Sequence, residues 1–331
     1  MRPRSLSVAR ANHSRITNNV GFNPQKEIQM SFAHFASRTN NRNIPAPLTA
    51  SQLRSIVPSA YATDKHESRS NRFTYIPTSE VIDGLIANGF QPYQAMQGGS
   101  RIEGKREFTK HLIRFRQIGA QVSKVGDTLP EVVLVNAHDG TSSYKLMAAL
   151  FRLVCMNGLM ISDQTFGELT VPHKGNIVHN VIEGSFEIIG QAKKAIARVE
   201  DWSHLALTAG EQDAFADAAH TLRFADAEGK TETPITAAQL LAPRRLEDMR
   251  EGAARYGERR PAPDLYRTLN VVQENVIRGG LSGFARNAET RRTRRVTTRE
   301  INGIDQNVRL NRALWQLAER MAELKGARAV A

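Results

Sequence analysis

The sequence has almost no cysteine and no long apolar stretch, and each absence excludes a class of protein. A single cysteine, Cys155, excludes an internal disulfide and a paired-cysteine metal site, and is typical of proteins in a reducing cytosol. We interpret Cys155 as a small buried apolar residue. No apolar run approaches the roughly 20 residues that a membrane-spanning helix needs. We therefore expect a cytoplasmic protein without a membrane partner.

Sequence motifs for catalysis and for metal or phosphate binding are also lacking. The chain contains no HExxH metal pair, no GxSxG nucleophile motif and no GxxxxGK[ST] phosphate loop. We accordingly predict no cofactor, no bound metal and no catalytic residues. One alternative stays open, a metal-dependent enzyme of nucleic-acid metabolism. Its site would be assembled from scattered side chains, namely His66, Glu67, His138, Asp139 and His173.

Acidic residues are scarce in three segments, and these segments contain the excess positive charge of a chain with formal net charge +12. Residues 1–45 have seven Arg or Lys against one acidic residue, and residues 286–299 have six Arg against Glu289. Residues 101–116 have six basic residues against two acidic ones. Clustered positive charge attracts polyanions, of which phosphate backbones are the commonest. The pattern predicts a nucleic-acid partner but names no reaction.

Composition and periodicity predict an α+β domain behind a polar tail. Residues 1–47 are rich in Asn, Ser and Arg without apolar periodicity, which predicts a disordered basic tail. We expect residues 48–331 to form a single α+β domain, in which a small antiparallel sheet with a hairpin is followed by, and packs against, several helices. The sheet-rich part is predicted at 48–175 and the helical part at 176–331. An Arg-rich stretch, 284–300, is expected to be an exposed loop.

Alternation of residue types predicts the strands. In residues 106–118 His111, Ile113 and Phe115 fall on one face of a predicted strand. The other face holds Lys110, Leu112, Arg114 and Arg116, which indicates a half-buried strand with a cationic outer face. A second strand is predicted at 131–138, and Asp139-Gly140 favours a two-residue hairpin turn before the partner strand.

Helix signals dominate the second half of the chain. Apolar residues at helical spacing predict a long helix from Asn176 to about Glu200. Thr208 and Glu211 form a capping-box pattern that predicts the start of another helix. Further helices are expected at 236–241, 264–278 and 305–325.

Three parts of the sequence carry the predicted binding residues. The strand and the Arg-rich loop are expected to contact phosphates, since Arg side chains suit phosphate oxygens. The polar segment 64–78 adds two arginines and two aromatic residues that stack on bases or, alternatively, anchor a solvated loop. The complete predicted set is Lys110, Arg114, Arg116, Arg291, Arg292, Arg294, Arg295, Arg69, Arg72, Phe73 and Tyr75.

Eight stretches of the chain carry a resemblance to a known family. They are DKHESRSNRFTYIPT, REFTKHLIRFR, VLVNAHDGTSSYKL, FRLVCMNGL, VPHKGNIV, PRRLED, VVQENVIRGGLSG and REINGIDQNVRLNRALWQLAE, in order between Met30 and Glu319. With them the chain resembles the plasmid- and prophage-borne bacterial family of domain of unknown function 932 (DUF932), whose start corresponds to Met30. The resemblance implies a setting in bacterial mobile elements. It implies no established activity and no catalytic residues.

These observations predict a nucleic-acid-binding protein of a bacterial plasmid or prophage. DNA is the favoured ligand, single-stranded DNA above all, because the binding signals are basic side chains with neighbouring aromatic residues. Two alternatives remain, the metal-dependent enzyme and a protein-binding adaptor with an acidic partner. The sequence leaves the oligomeric state open.

Overall fold

The computed structural model describes residues 46–64, 75, 77–102, 104–120, 128–152, 157–160, 168–172, 176–243, 263–287 and 289–330. Residues 1–45 of the predicted tail, and Cys155, lie outside these ranges. Two short 3₁₀ helices occur at Pro58–Tyr61 and Arg106–Phe108. The described helices are α1 (Ala50–Ile56), α2 (Thr78–Ala87), α3 (Ile177–His204), α4 (Ala209–Phe224), α5 (Ala237–Leu240), α6 (Leu265–Arg278) and α7 (Ile304–Val330). The described strands are β1 (Phe90–Gln97), β2 (His111–Gln117), β3 (Thr128–Asn136), β4 (Tyr144–Arg152), β5 (Asn157–Met160), β6 (Leu169–Val171), β7 (Ser282–Arg286) and β8 (Thr293–Thr297).

Side-chain caps explain where several helices begin. The Thr208 hydroxyl accepts from the backbone N–H of Glu211, whose carboxylate accepts from the N–H of Thr208, so the predicted capping box is confirmed. Asn176 caps α3 by a single bond, in which its side-chain oxygen accepts from the N–H of His179. The long predicted helix is confirmed and extends one turn beyond Glu200 to His204.

Strands β1 to β6 form an antiparallel sheet, and β7 with β8 forms a separate two-stranded sheet. The order in the larger sheet is β1-β2-β3-β4-β5, and β6 also pairs with β4. Helices and antiparallel strands together confirm the α+β class.

The predicted tight turn between β3 and β4 is wrong in length. Strand β3 ends at Asn136 and β4 begins at Tyr144, so a longer loop connects them. Asp139 forms a local Asx-type turn by accepting from the N–H of Thr141 at 3.0 Å, and its own N–H donates to the carbonyl of Phe108. These bonds satisfy the loop backbone without a two-residue hairpin.

The large sheet is covered on both faces. One face contributes Ile113, Val132 and Leu146 to the main core, which also contains α3. A Cβ at Gly184 of α3 would lie 2.2 Å from Leu169, so the glycine is what permits this close packing. The second face carries a smaller cluster in which Leu112, Val133, Val135, Met147 and Ala149 pack with Ile304 at the start of α7.

Candidate nucleic-acid interface

The predicted cationic outer face of β2 is wrong, because its two arginines are buried. Arg114 and Arg116 are each 3% exposed, and both pair with the carboxylate of Glu131, which is fully buried on β3. Arg116 Nε donates to Glu131 Oε1 at 2.6 Å, and Arg114 Nε donates to Oε2 of the same group. Antiparallel pairing of Arg114 with Val133 places Glu131 on the same face between the two guanidinium groups. These charges belong to an internal network.

Aromatic rings complete the surroundings of this network. The guanidinium carbon of Arg116 lies 4.2 Å from the ring centroid of Tyr93 and 4.0 Å from that of Phe151. Such stacking stabilises a guanidinium group that has lost its water. Two terminal nitrogens, Arg114 Nη2 and Arg116 Nη1, are buried and form no hydrogen bond with any described residue.

Lys110, the third predicted cation of this strand, is also paired. Its ammonium group donates to both carboxylate oxygens of Asp305 on α7, at 2.7 and 2.9 Å. Nearby, Lys105 lies 3.5 Å from the carboxylate of Asp139. Most of the positive charge of residues 101–116 is therefore opposed by described carboxylates, while Arg101 and Arg106 are exposed.

The second cationic segment has the opposite character. Residues 282–286 and 293–297 pair as the two strands of a β-hairpin, which we call the arginine hairpin, where the sequence predicted a loop. The exposure predicted for this segment is confirmed, since its five arginines are exposed and none forms an ion pair with a described residue. These arginines are Arg286, Arg291, Arg292, Arg294 and Arg295.

An exposed aromatic ring lies among these charges. The pairing of Phe284 with Arg295, and of Arg286 with Thr293, places the four residues on one face of the hairpin. Phe284 is 72% exposed, more than any other large hydrophobic residue that the structure describes. Sequence reasoning missed Phe284, because residues 282–286 (SGFAR) lack the strict alternation of apolar and polar residues that indicates a strand with one free face.

The other face of the hairpin is anchored to the protein. A Cβ at Gly283 would lie 2.3 Å from the carbonyl oxygen of Pro234, so the glycine lets the two backbones meet. Gln239 Nε2 donates to the carbonyl of Ser282 at 2.8 Å. At the base, the N–H of Thr298 donates to the carbonyl of Leu281 at 2.8 Å. The hairpin therefore projects from a fixed base with Phe284 on the outer side.

The turn of the hairpin is held by its own side chains. The Asn287 side-chain oxygen accepts from the N–H of Glu289 at 3.0 Å and from the N–H and hydroxyl of Thr290. Arg291 has a φ of 55°, in the left-handed region, and is the only non-glycine residue with positive φ among those described. This backbone conformation costs free energy in a residue other than glycine. Arg291 and the adjacent Arg292 are both exposed at the tip of the hairpin.

Four residues of the polar segment 64–78 were predicted to bind nucleic acid, and Tyr75 is the one of them that the structure describes. Its hydroxyl donates to the carbonyl of Ala62, its ring lies edge-on to His138 at 5.0 Å, and burial raises its pKa to about 12. The ring is half-buried, which favours the anchoring alternative. Arg69, Arg72 and Phe73 lie outside the described residues, as do His66, Glu67 and His173 of the alternative enzyme site.

Of the two remaining residues of that enzyme site, His138 belongs to a buried polar network. Thr78 Oγ1 lies 3.0 Å from Nε2 of His111 and 3.1 Å from Nε2 of His138, and Asn136 donates to it at 3.1 Å. Burial, followed by the neighbouring His138, lowers the pKa of His111 to about 3. His111 therefore stays neutral and works through hydrogen bonds.

Asp139 is the last of these residues. Burial opposes ionisation of its carboxyl, but hydrogen bonds from Thr141 and the charge of Lys105 lower its pKa overall. Within the described ranges, no group of three or more His, Cys, Asp or Glu residues is arranged to hold a metal ion. No described helix is both long enough and apolar enough to cross a bilayer.

Comparison with known proteins identifies the family. The model of the family "Domain of unknown function (DUF932)" matches residues 65–315. Two relatives from Escherichia coli strain K12, "UPF0380 protein YafZ" and "UPF0380 protein YfjQ", are each 45% identical over 273 residues, which is 82% of this chain and 91% of the relative. No solved structure matches. The chain belongs to the DUF932 family, as its sequence resemblance implied.

Proposed function

We propose that this member of the DUF932 family binds single-stranded DNA through the arginine hairpin. The observation that carries the proposal is the position of Phe284, 72% exposed and opposite Arg295 in the strand register. Proteins that bind single strands combine a basic track for phosphates with aromatic rings on which bases stack. The outer face of the hairpin offers both groups within one pair of strands.

The guanidinium groups bind phosphates because they have no described ion-pair partner of their own. Arg295 donates one hydrogen bond to the Ser282 hydroxyl at 3.1 Å, but none of the group is neutralised by a described carboxylate. Their guanidinium groups can exchange water and counterions for phosphate oxygens, which Arg binds in a bidentate manner. Thr293 and Thr297 add hydroxyl groups on the same face as Phe284. Arg114 and Arg116 contribute no direct contact, because their side chains are buried against Glu131.

A single strand is favoured over a duplex by the exposed ring. Stacking on Phe284 needs the flat face of a base, which a duplex conceals between neighbouring pairs. The family resemblance further supports a setting in a bacterial plasmid or prophage, and we place the protein in the cytoplasm. In that setting the protein coats or delivers a single strand without chemistry on it.

Titration of a fluorescently labelled single-stranded oligonucleotide with the full chain tests the proposal. In low salt, we expect the variant with Arg291, Arg292, Arg294 and Arg295 all replaced by Ala to bind at least about tenfold more weakly than the native chain. Arg320→Ala is the matched control, because it removes an exposed guanidinium from α7, away from the hairpin.

Two results would overturn the proposal. One is undiminished oligonucleotide affinity in the fourfold variant. The other is a labelled polyglutamate chain that binds the native protein more tightly than the oligonucleotide does, which would favour the adaptor with an acidic protein partner. Far-ultraviolet circular dichroism of both variants checks that the fold is retained.

A further inference from the structure

A cleft of about 470 Å³ separates the second face of the large sheet from the first turns of α7. Its volume lies within the range of sites that hold small ligands in proteins. We call it the α7 cleft. It shares no residue with the arginine hairpin, and the function proposed above does not use it.

The lining of the α7 cleft is positively charged. It contains four basic residues and two acidic ones, so two positive charges are left over. The basic residues are Lys110, Lys145, Arg309 and Arg312, and the acidic residues are Glu168 and Asp305.

Ion pairs hold most of these cations in place. The carboxylate of Glu168 binds Lys145 at 2.6 Å and Arg312 at 2.9 Å, while Asp305 binds Lys110 at 2.7 Å. One carboxylate shared by two cations leaves a positive charge that an anionic ligand can balance. The pairs thus orient the cationic side chains before any ligand arrives.

Arg309 is the cation without such a pair. Its side chain is exposed on α7, and it forms no ion pair with a described residue. Because it lines the cleft, its guanidinium group is available to bind an anion there by a two-pronged hydrogen bond.

The rest of the lining is apolar with a few polar groups. Val135 and Met147 of the sheet and Ile304 of α7 are at most 4% exposed, so the half-buried Val308 and Ala313 offer most of the apolar surface. Thr141, Ser142 and Gln316 add hydroxyl and amide groups at the wall. A flat ring with hydrogen-bonding edges suits such a wall, and a phosphate suits the cationic groups beside it.

We propose that the α7 cleft binds one nucleotide, with its base on the apolar surface and its phosphate on Arg309 and the cations held by Glu168. The same chemistry is offered by a free nucleoside phosphate and by the phosphorylated end of a DNA strand. The cleft is thus a second site, independent of strand binding by the arginine hairpin.

Calorimetric titration of the full chain with deoxyadenosine 5′-monophosphate tests the site. We expect saturable binding, weakened at least about tenfold by Arg309→Glu and unchanged by Arg320→Glu, which makes the same charge change farther along α7. We expect inorganic phosphate to bind at least about tenfold more weakly than the nucleotide, because it forgoes the apolar surface.

A competition experiment distinguishes a free nucleoside phosphate from the phosphorylated end of a DNA strand. In the fourfold hairpin variant, an oligonucleotide with a 5′ phosphate should compete with the monophosphate if the cleft accepts strand ends, and only free nucleotides should compete if it does not. Either result supports a nucleotide site. Three results would overturn the nucleotide site: neither the monophosphate nor the phosphorylated oligonucleotide binds at millimolar concentration, or inorganic phosphate binds as tightly as the nucleotide, or Arg309→Glu and Arg320→Glu have equal effects. None of these results depends on whether the hairpin binds DNA.

Discussion

The arginines of β2 and those of the arginine hairpin are the same residue type in opposite environments. Arg114 and Arg116 are buried, share the carboxylate of Glu131 and touch aromatic rings. The hairpin arginines are exposed, and no described residue forms an ion pair with them. The difference teaches that positive charge in a sequence indicates a surface for polyanions only where no neighbouring strand supplies a carboxylate.

The two environments also imply different energetic roles. Removing one partner from a buried ion pair strongly destabilises a protein, because a charge is left without compensation. Substitutions of exposed, unpaired side chains usually change stability by no more than about 0.5 kcal/mol. The β2 arginines therefore support the fold, whereas the hairpin arginines are available for binding.

The largest effect on stability is expected from breaking the buried ion pairs of the β2 arginines. Glu131→Ala leaves two guanidinium groups in the interior without their carboxylate, and we expect it to lower the free energy of unfolding by about 3–5 kcal/mol. Urea denaturation at neutral pH measures this loss. Glu131→Gln, which keeps the shape of the side chain, should show the same direction.

Glu323→Ala is the matched control, because it breaks an exposed pair with Arg320 on α7 and should change stability little. A Glu131 variant as stable as the Glu323 variant would contradict the distinction between the two kinds of arginine.

The next largest effect is expected from lowering the pH, which should destabilise the folded protein through the buried His111 of β2. The folded protein keeps His111 neutral with a pKa of about 3, whereas the unfolded chain protonates it near pH 6.5. The unfolded state therefore binds more protons between these values, and this contribution to stability is lost as the pH falls below 6.5. The slope from this one group is at most about 1.4 kcal/mol per pH unit.

His111→Gln removes the titrating group from β2. Urea denaturation between pH 7 and pH 4 should show a shallower loss of stability for the variant than for the native chain. His138 faces the same network and remains in both proteins, so only the difference between the two curves reports on His111. Parallel curves would show that His111 is accessible to protons in the folded state.

The sequence predicts those parts of the fold and of the candidate site that depend on residues close together along the chain. The capping box of α4 at Thr208 acts within one turn, and the apolar spacing of α3 repeats along a single element, so both helices were predicted correctly. Strand β2 was also recognised from its alternation. The environment of Arg114 was not, because it depends on the register that brings Glu131 from another strand.

The hairpin shows the same limit. The exposure of its arginines was predicted from six Arg against the single carboxylate of Glu289 in residues 286–299, but the free face around Phe284 depends on contact between Gly283 and the distant Pro234. No local pattern reports a contact across that many residues. The α7 cleft was likewise missed, since Lys110, Glu168 and Arg309 come together only in the fold.

A smaller effect is expected from the aromatic ring of the hairpin. Phe284→Ala should weaken binding to single-stranded DNA by about 1–3 kcal/mol, because one stacked base loses its platform. Phe284→Tyr keeps a flat ring and should bind like the native chain. Equal affinities for the native, Ala and Tyr proteins would show that no base stacks on Phe284. The phosphate contacts of the arginines are tested by a separate measurement.

The salt dependence of single-stranded DNA binding tests the central claim most directly. The logarithm of the association constant, plotted against the logarithm of the salt concentration, has a slope that grows by about 0.7 for each phosphate neutralised on a single strand. Replacing Arg291, Arg292, Arg294 and Arg295 by Ala should therefore reduce the magnitude of the slope by up to about 3. A slope that is the same in the native and fourfold-substituted proteins would show that the exposed arginines do not contact the strand.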